Sequence, residues 1–210
     1  MPSSAISAQG SVIAIGTGSG SPATISAITL GNPTIITATA HGFNVGDVVT
    51  HAGITGAVTA NGTFSVLYKT ANTYAIGLDT TGGAAYVSGG TATPTTFTAV
   101  ANVKTFSGFD GSASEIDVTN LSSTAKEYRL GLTDPGQFTI EIDYDGTNAG
   151  HVALRAKQQS GLLSNFKLTL PNAQNITFTG FVKKFALAGG VDAVAKTAVD
   201  IRISGPITGL

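Results

Sequence analysis

The chain has 210 residues, 42% of them hydrophobic and only 11% charged, against about a quarter charged in ordinary soluble domains. Eleven basic and 12 acidic side chains leave a net charge of −1, which excludes a nucleic-acid binder that works by neutralising phosphates with a basic surface. Cysteine is absent, which excludes disulfides, thiolate zinc sites and cysteine nucleophiles.

Residues 1–46 carry no charge, but Ser, Thr, Gly and Pro break every apolar run. No membrane-spanning helix is expected there. MPSSAISAQG has neither the basic start nor the apolar run of a secretory signal, so a protein made and used without export is expected. Few charges, 27 glycines and many threonines point to β-structure with much of its surface covered in an assembly.

Ser11–Ile15 predicts a first strand, running into GTGSGSP, which reads as a flexible connector. Residues 24–40 predict two short strands broken at Gly31-Asn32-Pro33. A turn at Asn44–Gly46 leads into a strand around Asp47–His51. Phe64, Val66 and Tyr68 alternate with Ser65 and Leu67, and Ala71-Asn72 turns the chain into a partner strand at Tyr74–Leu78. These residues read as a small, nearly uncharged β-barrel or sandwich.

From Thr95 the pattern changes. SEIDVT alternates, with Ile116 and Val118 opposite Glu115 and Asp117. In GQFTIEIDYDG, Phe138, Ile140, Ile142 and Tyr144 share one face, and Thr139, Glu141, Asp143 and Asp145 share the other. Residues 148–161 predict the single good helix, capped by Asn148 and ended by Gly161. Its core face is expected to be Ala149, Val152, Ala153 and Ala156, with His151 on the wet side. Strands resume at Asn165–Leu170, Ile176–Phe185 and Val199–Ser204. The first strand joins this second part, which makes the low-charge module an insertion between GTGSGSP and TATPTT. The domains are therefore 1–19 with 95–210, and 20–94 as a small inserted β-module.

Little points to catalysis. His41, His51 and His151 lack convergent acidic partners and read as surface or turn residues. GTGSGS lacks the Gly-Lys-Ser/Thr of a phosphate loop and no helix follows it. The run DYDGTN has its glycine too early for a calcium loop and no closing Glu. Glu141, Asp143 and Asp145 could be paired carboxylates of a glycosidase, but Trp is absent and sugar-stacking surface is scarce. The expectation is a protein that is not an enzyme, with no cofactor and no metal. A face turned toward a channel is the sharper reading of the acidic row, and a solvated outer face the plainer one.

FSGFDGSASEIDVTNLSSTAKEYRLGLTDPGQFTIEIDYD, HVALRAKQQSG, FKLTLPNAQNITFTGFVKKFAL and VDIRISGPIT, in that order, resemble the tail-tube (major tail) proteins of long-tailed bacteriophages. SAISAQGSVIAIG resembles the opening strand of that family. The insert, with HGF-x-x-GD-x-V, N-G-T-F-x-V and T-x-Y-x-I, resembles a small β-module of phage virion proteins. The resemblance implies a mainly β fold, in which a tail-tube sandwich or barrel-forming sheet carries one α-helix. It implies hexameric rings, stacked into a hollow tube that conducts DNA into the host. The implied partners are the chain itself and other tail proteins (tape measure, tail tip, terminator), with DNA only as passing cargo and no membrane. The implied location is the virion tail, after assembly in the host cytoplasm. In such a ring Glu141, Asp143 and Asp145, joined by Glu115 and Asp117 from a neighbouring strand, are expected to line the lumen in acidic rings. The module is expected on the outside of the tube. The competing reading is a tail fibre or adhesin-type carbohydrate-binding β-module.

Overall fold

A computed structural model describes residues 5–210; Met1–Ser4, the start of the stretch read for an export signal, lie outside the described residues. Two-residue alternation produces strands almost throughout, and the chain divides into two compact units. One comprises residues up to Ala99 with Asn165–Thr177 and Thr208–Leu210; the other comprises Val100–Ser164 and Phe178–Ile207.

In chain order the strands up to residue 100 are β1 (Val12–Ser19), β2 (Ala23–Thr24), β3 (Ala27–Thr29), β4 (Thr34–Thr37), β5 (Val48–Ala52), β6 (Gly62–Lys69), β7 (Thr73–Ile76) and β8 (Thr91–Val100). After them come β9 (Val103–Gly108), β10 (Ser112–Asp117), β11 (Tyr128–Asp134), β12 (Gln137–Asp143), helix α1 (Ala149–Ser160), β13 (Ser164–Thr169), β14 (Asn175–Ala188) and β15 (Lys196–Ile203). The fold is mainly β with one α-helix among the described residues, as the sequence predicts.

In the first unit the strand order is β3-β4-β7-β6-β5-β8-β1-β13, with β2 beside β8. Ile25, Ile36, Phe43, Val49, Ile54, Val66, Tyr74 and Ile76 form its apolar cluster, and Phe64 packs against it. Tyr68, expected on the same face as Phe64 and Val66, is half exposed because the β6–β7 register shifts between Val66 and Lys69. Ile13 lies opposite Leu168 and Ile15 opposite Phe166, and all four are buried.

Both stretches expected to be loose connectors are strand. GTGS is the second half of β1, and TATPTT opens β8. The two are neighbours in the sheet: the Gly20 amide donates to the Pro94 carbonyl at 2.7 Å, and the Thr17 and Thr98 hydroxyls lie 2.8 Å apart. Ladder pairing overrides the flexibility that glycine and serine confer on an isolated chain. The same unit joins the low-charge segment to β13 and β14: Ser65 and Thr177 share a hydroxyl hydrogen bond of 2.6 Å, and Asp47 meets Lys167 at 3.9 Å.

Gly46 sits at this junction with φ +82°, and a Cβ there would come within 2.6 Å of the Asn175 Cβ. A left-handed backbone and an occupied space both require glycine. Gly46→Ala is expected to destabilise the first unit by about 1–3 kcal/mol, read as a lower midpoint in urea.

In the second unit the order is β14-β15-β12-β9, and β10 pairs only with β11 in a separate two-stranded ribbon. Phe138, Ile140 and Ile142 are buried on one face of β12, with Val199 and Ile201 from β15 beside them. The Asn148 side chain accepts from the Gly150 and His151 amides, and Gly161 ends α1 in the left-handed region. The predicted caps are therefore in place, but the helix turns the other way. Gly150, His151 and Leu154 are buried, and Val152 is 53% exposed.

Candidate assembly surface

The five acidic side chains proposed from the sequence fall into three settings. Glu141 and Asp143 project from β12 on the face opposite the core. Asp145 lies beyond the strand end, where the Thr147 hydroxyl and amide donate to it at 2.7 and 2.8 Å. Those hydrogen bonds hold its carboxyl below the ordinary range. Asp145 is thus part of the turn that precedes α1. Glu115 and Asp117 lie on the ribbon, and β10 is not a neighbour of β12. The expected neighbouring strand is a correction: β12 is flanked by β9 and β15. Asp117 accepts from the Thr119 amide at 2.9 Å and meets Lys126 at 3.6 Å; the Thr119 contacts come first in lowering its pKa.

The polar face of β12 is also less uniform than its own sequence implies. Register places Asp143 opposite Lys196, Thr139 opposite Asp200 and Gln137 opposite Arg202. Lys104 pairs with Asp143 at 2.9 Å, and Lys184 approaches Asp200 at 3.9 Å. The Gln137 amide donates to the Thr139 hydroxyl, which donates to Asp200, each at 3.1 Å. Arg202 pairs with Asp134. Cations from β9, β14 and β15 therefore interleave with the acids. Glu141 has a Thr105 hydroxyl at 3.4 Å and alanine, not a cation, opposite it on β15. One Asp143 carboxylate oxygen is buried without a hydrogen bond.

All three histidines are buried, which corrects their reading as surface or turn residues. The His151 Nε2 lies 2.8 Å from the Ala101 carbonyl, and its Nδ1 is 3.1 Å from the Asp145 amide. The Ala101 carbonyl can only accept, so Nε2–H donates to it, and Nδ1 also lies 3.1 Å from the Asp145 carbonyl. The ring also stacks on Tyr144 with centroids 6.1 Å apart. This polar satisfaction is what turns α1 away from its apolar stripe. His51 Nδ1 faces the Ala60 carbonyl at 3.0 Å, and its Nε2 takes the Tyr74 hydroxyl at 2.7 Å. Burial lowers the His51 pKa and raises that of Tyr74, so the pair is held neutral. Among the described residues no group of three His, Cys, Asp or Glu could hold a metal ion, and no helix is long and apolar enough to cross a membrane.

What the second unit does present is unpartnered strand and apolar surface. Among the described residues β9 ends the sheet, and no strand lies beside one of its backbone edges. The ribbon exposes both faces. Glu115 lies opposite Leu130 and Asp117 opposite Tyr128, so these four share a face, and the register shifts beyond Leu130; Leu130 is 76% and Leu132 93% exposed. Strand β11 was missed from the sequence because Gly131 interrupts Y-R-L-G-L-T. The Tyr128, Leu130, Leu132 spacing was the available signal.

Residues 77–170 match the family described as phage tail tube, TTP, lambda-like. Residues 31–96 match the family described as ubiquitin-activating enzyme E1 FCCH domain, and the two matches overlap from 77 to 96. The chain has no cysteine, so the second match brings no thiol chemistry. "Structural protein 3" of Pseudomonas phage PAJU2 is 22% identical over 125 residues, covering 49% of this chain and 76% of the relative. Two solved structures are described as "Tail of empty GTA particle computed with helical refinement, C6 symmetry" and "Virion of native gene transfer agent (GTA) particle". They align with TM-scores of 0.47 and identities of 16% and 15%; each alignment spans 54% of this chain, and 86% and 88% of theirs. The tail-tube family and the curated relative are both described as structural phage proteins. The likeness read from the residues thus stands as a likeness: residues 77–170 match a phage tail-tube family, and the chain is similar to a phage structural protein.

Proposed function

We propose that the protein forms hexameric rings that stack into the hollow tail tube through which phage DNA passes. The observation that carries this reading is the free β9 edge beside a ribbon exposed on both faces. A long unpaired edge templates pairing with another chain, and an isolated two-stranded ribbon is marginal in water. Closing a ring removes the edges, and low charge suits a surface that is covered after assembly.

In that ring the polar face of β12, with Thr139, Glu141 and Asp143, lines the channel. Its interleaved cations and anions present no continuous basic strip for phosphates to displace counterions from. Glu141, with no cation opposite, supplies local repulsion that salt screens over about 8 Å. Residues 20–94 are an inserted module on the outside of the tube, a reading supported by the separate family match over 31–96. Tape-measure, tail-tip and terminator proteins meet the tube at its lumen and ends, and assembly takes place in the host cytoplasm.

Sedimentation over rising concentration, with electron microscopy of the same samples, tests the reading. Six-membered rings and tubes are the expected species. A monomer at every concentration overturns it.

A further inference from the structure

One asparagine of the chain, Asn61, is followed by glycine. It stands between a short 3-10 turn, Val58–Ala60, and the start of β6 at Gly62. Its side-chain amide works in both directions. Oδ1 accepts from the Ile54 amide at 3.0 Å, and Nδ2 donates to the Ile54 carbonyl at 3.1 Å and the Val58 carbonyl at 3.2 Å. The amide thus takes the place of a strand partner for Ile54, which is buried in the apolar cluster. An aspartate there could accept but not donate. Gly62 is fixed as firmly, because its φ of +140° suits only a residue without a Cβ. The fold therefore requires both residues, and their order makes a reactive pair.

We infer that Asn61 is a spontaneous deamidation site, gated by opening of the first unit. The Gly62 nitrogen gives its proton to solvent base and bonds to the Asn61 side-chain carbon Cγ. The Cγ–Nδ2 bond breaks and ammonia leaves. Water then opens the resulting succinimide at either carbonyl, which yields aspartate or isoaspartate. Glycine hinders this attack least, since it has no Cβ. The closed fold blocks it twice. Asn61 is extended, with ψ 134°, which holds the Gly62 nitrogen out of the plane in which the five-membered ring closes. The hydrogen bonds to Ile54 and Val58 also fix the amide against the rotation that ring closure needs. Opening removes both restraints, and the rate then follows the population of the open form.

The modification is one-way. Aspartate keeps an acceptor for the Ile54 amide but puts a second oxygen against the Ile54 and Val58 carbonyls, where a donor is required. Isoaspartate further inserts a carbon into the main chain directly before Gly62, the residue paired with His51. Each opened copy that reacts is thereby marked and weakened. None of this depends on the tube reading.

The full chain, incubated in mildly alkaline buffer and digested, reports the reaction through the mass of the peptide that holds Asn61-Gly62. A synthetic peptide of residues 58–65 sets the open rate. The folded protein should deamidate at least about tenfold more slowly than that peptide, and in denaturing guanidinium it should match it. Tyr74→Phe, which weakens the same unit, should speed the reaction in native buffer, up to the peptide rate where the unit no longer folds. Equal rates in folded protein and peptide overturn the gating, and a chain that stays unmodified in guanidinium overturns the site. A native rate untouched by Tyr74→Phe overturns control by opening. Asn61→Asp, which reproduces one product, should lower the folding equilibrium constant of the first unit about tenfold or more. Unchanged stability in Asn61→Asp overturns the one-way step.

Discussion

Phe138→Ala is expected to destabilise the second unit by about 3–5 kcal/mol and to abolish assembly with it. Phe138 is fully buried, with ring centroids 5.0 Å from Phe109, 5.2 Å from Phe178 and 6.2 Å from Phe106. Four aromatic rings from β9, the turn after it, β12 and β14 thus meet at one residue. The cavity left by alanine removes contacts on every side. Urea unfolding followed by hydrogen exchange in β12 and β15 measures the loss. Val152→Ala is the contrast: half exposed on α1, it should change stability by no more than about 0.5 kcal/mol. A helix seated on its apolar stripe would give the opposite result for Val152.

Acid should unfold the first unit preferentially. His51 holds a folded pKa below its ordinary 6.5 because burial disfavours the imidazolium. The unfolded chain therefore binds a proton that the folded unit refuses. Stability is full above pH 6.5 and falls progressively as pH drops below it, until the folded value is passed. Tyr74 has the opposite sign: its pKa is raised above 10.0, so the unit also weakens above that pH, where only the unfolded phenol ionises. Hydrogen exchange of β5 and β7 across the pH range should show a plateau between these limits. Tyr74→Phe leaves the His51 Nε2 without its donor and should cost about 1–3 kcal/mol. His51→Phe should remove the acid limb altogether. An acid limb that survives in His51→Phe would assign it to other groups.

What the sequence revealed followed periodicity. The alternation in β12 placed Phe138, Ile140 and Ile142 in the core, and the hairpin at Ala71-Asn72, the Asn148 cap and the Gly161 stop lie where local chemistry puts them. The misreadings arose where tertiary partners decide. His151 is buried because two backbone groups and Tyr144 satisfy it, and no pattern within a helix reports that. The acidic row looked uniform because the cations that interleave with it come from β9, β14 and β15. Glu115 and Asp117 were put beside β12 because a strand's polar face carries no information about which strand lies next to it. GTGSGSP and TATPTT have the composition of loose chain, and only their mutual pairing makes them strands.

That pairing bears on how such a protein could arise. Everything between β1 and β8 enters and leaves through two adjacent strands, Gly20 beside Pro94 and Thr17 beside Thr98. To the strands around it, the whole segment is the tip of a long hairpin. Lengthening, exchanging or losing such a tip re-routes no other strand and crosses no other connection. A lineage can therefore trade the segment as a cassette: new surface is gained by recombination at the stem, and the rest of the sheet keeps its register.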